Sequence, residues 1–105
     1  MKYMWQVSYT PEGMKGLIKE GGSSRRTMVD KMVQNMGGRI ESFHFAFGDK
    51  DAYIIGEMPN NADVAAIGMA VGAAGAASVK TTVLMTPEEI DLASEKVVDY
   101  RPPGA

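Results

Sequence analysis

RIESFHFAFGDKDAYIIGEM, residues 39–58, reads as two alternating strands around one turn. From Arg39 to Gly48, Phe43, Phe45 and Phe47 fall on one face and Ser42, His44 and Ala46 on the other. That two-residue period belongs to a β-strand with one buried side. Gly48-Asp49-Lys50-Asp51 supplies turn residues. Ala52 to Met58 then runs back as a second strand, so the segment is a hairpin.

Upstream, Tyr3 to Tyr9 is another alternating strand, with Tyr3, Trp5, Val7 and Tyr9 on one face and Met4, Gln6 and Ser8 on the other. Thr10-Pro11-Glu12 predicts a helix start: a capping hydroxyl, a proline at the first position and an acid in the first turn. Gly21-Gly22 breaks this helix and Ser23-Ser24 restarts it. Met28, Val29, Met32, Val33 and Met36 then recur at helical spacing up to Gly37-Gly38. Downstream, Asn60 with Asp63 opens a Gly- and Ala-rich helix over Ala62 to about Gly75, and Val79 to Met85 is a fourth strand. Thr86-Pro87-Glu88-Glu89 is a capping box that starts a short helix to about Val97, with an extended tail from Asp99 to Ala105.

The order is β-α-β-β-α-β plus a C-terminal helix and tail. This is the ferredoxin-like, split βαβ two-layer α+β sandwich, in a single domain over residues 1–105. Such a sheet covers one face with helices and leaves the other open. The aromatic face belongs under the helices. The open face then carries Gln6, Ser8, Ser42, His44, Lys80 and Thr82, with Tyr53, Ile55 and Glu57; a one-residue slip would exchange the two sets. Met4, Ile55 and Leu84 would leave an apolar patch on that face, and a chain of 105 residues has a thin core. A homodimer or higher homo-oligomer is therefore expected.

Eleven basic and thirteen acidic residues give a net charge of −2, with no cationic stripe for nucleic acid. With no cysteine and one histidine, disulfides, thiolate chemistry and the usual zinc patterns are excluded, and no cofactor signature is present. The N-terminal residues do not form a signal peptide and no stretch spans a bilayer, so a cytoplasmic location without membrane attachment is expected.

Two groups invite a chemical role. Arg25 and Arg26 sit at a helix start, where the macrodipole disfavours cations. Beside Gly21, Gly22, Ser23 and Ser24 they either hold a small carboxylate or phosphate, or pair with Asp30 and Glu20 as surface ions. His44 either works as a general acid or base with Glu57 or Tyr53 nearby, or is a structural or interface residue. Asp49 and Asp51 fall far short of a cation-binding loop. The nine methionines read as core filler, and Gly68, Gly72 and Gly75 as sites of close helix-on-sheet packing.

Taken in order, Ser8 to Gly13, Gly21 to Arg26, Phe43 to Asp51 and Thr81 to Glu89 resemble the GYD family from about Tyr3 onward. The Gly-Tyr-Asp signature of that family appears here as Gly48-Asp49-Lys50-Asp51, with Lys50 where the tyrosine would sit. The resemblance implies a ferredoxin-like fold of the dimeric α+β barrel type. It does not imply an activity.

Three readings of function follow. The first is a homo-oligomer that binds a small anionic molecule between the open sheet face and the first helix, using Gln6, Ser8, Arg25, Arg26, Tyr53 and Glu57. The second is a cofactor-independent enzyme with His44 as its acid or base. The third is a scaffold that only self-assembles.

Overall fold

The computed structural model describes residues 1–105. In chain order the elements are β1 (Lys2–Tyr9), α1 (Pro11–Glu20), α2 (Gly22–Asn35), β2 (Arg39–Phe45), β3 (Ala52–Glu57), α3 (Asn61–Ala74), β4 (Ala77–Leu84) and α4 (Pro87–Ser94). The four strands form one antiparallel sheet in the order β2-β3-β1-β4, which is the ferredoxin-like arrangement. No helix is long and apolar enough to cross a membrane.

Alternation sets the two faces as the sequence implies. Tyr3, Trp5 and Val7 of β1, Phe43 of β2 and Ala52 and Ile54 of β3 are buried, together with Val29 and Val33 of α2 and Val64 and Ile67 of α3. The register places Phe43 beside Ile54 and Trp5 beside Ile54 on this covered face. It places His44 beside Tyr53, and Gln6 between Tyr53 and Lys80, on the open face. Met4 and Ile55 are paired there and half-buried, as is Leu84. A bulge between Ile40 and Ser42 inserts Glu41 and reverses the phase of the alternation, so Ile40 and Phe43, three residues apart, share the covered face while Arg39 lies on the open one.

Local chemistry fixes the ends. Thr10 caps α1 by accepting from the Gly13 N–H (3.1 Å), and Thr10 donates its own N–H to the Ala76 carbonyl (3.0 Å). The α1–α2 break falls at Gly21, whose φ of 88° lies in the region only glycine enters readily. Gly13 packs so closely that a Cβ there would lie 1.8 Å from the Ala76 carbonyl oxygen.

Several expectations need correction. Strand β2 ends at Phe45, not Gly48. Phe45 is 41% exposed and Phe47, in the turn, is fully exposed, so the aromatic face stops contributing to the core after Phe43. The fourth strand begins two residues earlier than the spacing predicts, and α4 ends at Ser94. Gly68 and Gly72 are not close-packing positions, because a Cβ at either meets nothing within 4 Å. Gly75 instead ends α3 in the left-handed conformation (φ 78°). Among the methionines only Met58 is fully buried.

Candidate functional site

The helix layer and the covered sheet face do not close completely. Between them lies a cavity of about 60 Å³, walled by β1 (Trp5, Val7, Tyr9), α2 (Arg25, Val29, Met32) and residues of the other strands and α3. Every lining residue but Arg25 is hydrophobic. Trp5 reaches this position because its ring lies over Gly56 of β3, where a Cβ would come within 3.0 Å of the indole. Arg25 reaches it because α2 places residues 25, 29 and 33 on one stripe, and Val29 and Val33 are the buried residues of that helix.

Two donors at this cavity lack partners. The indole N–H of Trp5 and the Nε–H of Arg25 are buried and make no hydrogen bond. A buried donor without an acceptor costs on the order of 1–3 kcal/mol, so each unpaired one calls for an explanation. Arg25 also makes no ion pair with any carboxylate, Glu20 included, although Glu12, Glu20 and Arg25 line one shallow cleft between α1 and β1. Tyr9 and Arg25 line both spaces, so together they form the wall between the outer cleft and the inner cavity.

The other candidates are distributed differently. Arg26 pairs with Asp30 one turn on (Nε to Oδ2, 3.7 Å), the surface-ion alternative. Gln6, Ser8, Tyr53, Glu57 and His44 lie on the open face, across the sheet from Arg25. A single pocket joining Arg25 to Gln6, Ser8 and Tyr53 therefore does not exist within one chain. The helices cover the Trp5 face, and a side chain on the inner stripe of α2 cannot pass through the sheet. Nor do His44 and Glu57 meet. Glu57 accepts from the Arg39 guanidinium (3.1 Å), which also reaches Glu41 (3.3 Å), and Glu41 pairs with Lys2 (3.1 Å). That self-neutralised cluster sits at one end of the open face, and His44, exposed near the other, has no carboxylate to orient it.

Trp5 is the cavity-lining residue that reading the sequence did not single out, since an aromatic on a buried strand face reads simply as core. The helical spacing of Arg25, Val29 and Val33 was the available signal for Arg25.

The turn that carries the family-like signature is tied into the same end of the sheet. The Asp51 carboxylate accepts the Tyr9 N–H (2.8 Å), and the Asp51 N–H donates to the Val7 carbonyl (2.8 Å). The GYD domain model matches residues 3–93. The chain belongs to the GYD family. No curated protein and no solved structure matches it. In this GYD domain Asp51 does structural work, and Lys50, in the tyrosine position, is half-buried beside it. No group of three or more His, Cys, Asp or Glu side chains is placed to hold a metal ion.

Proposed function

We propose that this GYD-family chain is a homo-oligomeric binding protein for a short aliphatic carboxylate, held in the cavity between the helix layer and the sheet. The observation that carries the reading is Arg25, the one charged residue in an otherwise apolar lining, with a buried Nε–H that has no partner. A carboxylate satisfies that donor through a charge-assisted bond, and its alkyl chain fits the surrounding hydrocarbon. The size sets the class. A cavity of about 60 Å³ is well under the roughly 150 Å³ that takes benzene, which favours a short chain over a ring. Met32 in the wall is the pliable side chain that accommodates chains of differing length.

Self-association is supported by the open sheet face. Met4, Ile55 and Leu84 remain only half-buried there, and no helix of the chain lies over them. Two copies stacked on these faces would close the pair of sheets into the α+β barrel type.

Calorimetric titration with straight-chain acids from acetate to butanoate, and with the matching primary amides, tests the ligand reading. Acids are expected to bind and amides not. Arg25→Gln is expected to weaken binding about 10- to 100-fold, the equivalent of roughly 1.5–3 kcal/mol for a hydrogen bond to a charged group. Arg26→Ala, which lies outside the cavity, leaves binding unchanged. Trp5 is the only tryptophan, so its indole N–H gives a single NMR signal that moves on binding. If acids and amides behave alike on all three proteins and the indole signal stays put, the cavity is a packing defect and self-assembly is the whole function.

A further inference from the structure

The chain exposes far more surface than its mass requires. Its accessible area is 7339 Å², against about 5,700 Å² for a folded monomer of this mass. Its radius of gyration is 17.0 Å, where a compact domain of this length has about 13 Å. The longest unbroken run of exposed residues lies beyond β4. Every residue from Met85 to Ala105 is exposed, and Ile90 (53%), Leu92 (61%), Val97 (99%), Val98 (77%) and Tyr100 (69%) all present apolar surface to water. The tail from Asp99 to Ala105 does not pack on the body of its own chain.

A helix in that situation lacks a reason to persist. α4 has eight residues and a complete capping box, with Thr86 Oγ1 accepting from the Glu89 N–H and the Glu89 carboxylate accepting from the Thr86 N–H, both at 3.1 Å. Capping alone does not sustain two turns of helix, since isolated helices below about 12 residues are marginal in water. A packing surface has to come from outside the chain.

We propose that Met85–Ala105 is an exchanged arm: it leaves its own protomer and packs against the end of a second copy that carries Phe45 and Phe47. The proposal rests on the homo-oligomer reading above for the presence of that second copy, and three observations direct the arm to it. The first is area. The excess of roughly 1,600 Å² per chain is the scale on which obligate subunits bury surface against each other. The second is charge. Residues 86–105 hold five acidic and two basic side chains, net −3, whereas residues 1–85 hold eight acidic and nine basic, net +1, so arm and body attract between copies.

The third is placement. The arm leaves the sheet beside Lys2 and Leu84, whereas Phe45 and Phe47 lie at the opposite end, past the pair Phe45–Ala52. A two-fold axis perpendicular to the strands brings the arm root of one copy against the aromatic end of the other, and does so reciprocally. Phe47 is fully exposed, a side chain of the size and polarity to be covered by Val97, Val98 and Tyr100.

The chain has no cysteine, so Val97→Cys gives one labelling site at a position that touches nothing in its own protomer. A full-length nitroxide-labelled V97C chain is mixed with isotope-labelled chain, and line broadening is read on the isotope-labelled partner. Broadening centred on residues 45–47 is the expected result, together with at least a tenfold rise in the dissociation constant when residues 86–105 are removed. A dimer by light scattering with no broadening at 45–47 overturns the arm and leaves the sheet-face association standing. A full-length monomer up to millimolar concentration overturns both.

Discussion

Gly13→Ala is expected to lower the melting temperature by roughly 10–20 °C, the shift that about 3 kcal/mol produces in a domain of this size. The added methyl would sit 1.8 Å from the Ala76 carbonyl oxygen, far inside contact distance, and that oxygen belongs to backbone rather than to a side chain that can swing away. Relief requires α1 to move off the α3–β4 connection. The same carbonyl accepts the Thr10 N–H at 3.0 Å, so the movement also breaks the bond that anchors the start of α1. Gly68→Ala provides the opposite sign. Its Cβ enters open space inside a helix, and a gain of about 0.5–1 kcal/mol is expected from the higher helix propensity of alanine. Thermal melts of both variants check the pair. A Gly13→Ala protein as stable as the parent would mean that α1 is not held against the α3–β4 connection.

How much of this was legible beforehand depends on whether the information was local. The alternation in Tyr3–Tyr9 and Ser42–Phe45 fixed which side of the sheet was apolar, and the register agrees for Trp5, Phe43, His44, Gln6 and Tyr53. Turn and capping chemistry marked Thr10, Asn60 and Thr86 as helix starts, and all three side chains accept the expected N–H. Periodicity failed at Phe47, because alternation in sequence carries no mark of where the ladder ends. The last paired residues are Phe45 and Ala52, after which Ala46 bonds back to Asp51 and the chain turns outward.

The candidate site was less legible, for a reason of the same kind. Trp5 and Arg25 are brought to one cavity by the packing of α2 on the sheet, and no spacing rule links residues that far apart. The sequence did contain half of the answer. Residues 25, 29 and 33 share a helical stripe, which sends Arg25 inward to the Trp5 face rather than outward to Gln6 and Ser8. For the arm, the capping box predicted that α4 forms. That it forms away from the body depends on the path of the chain after Leu84, which neither propensity nor periodicity encodes.

Asp51→Ala is expected to cost about 1.5–3 kcal/mol, the range for removing a hydrogen bond to a charged group. The carboxylate is the acceptor for the Tyr9 N–H at 2.8 Å, and the Asp51 backbone bonds both Val7 and Ala46. This residue thereby ties the hairpin turn to the end of β1. Tyr9 is also part of the wall between the outer cleft and the cavity, so loosening it opens the cavity on the Arg25 side. Two consequences separate this role from a simple turn preference. Asp49→Ala, at an exposed position in the same turn with no hydrogen bond, is expected to change stability by less than about 0.5 kcal/mol. Hydrogen exchange at the Tyr9 amide is expected to accelerate in the Asp51 variant and not in the Asp49 variant, because only the former deprives that N–H of its acceptor. Equal protection of Tyr9 in both proteins would show that the turn holds its place without the carboxylate, and would remove the structural reason for an aspartate at this end of the family signature.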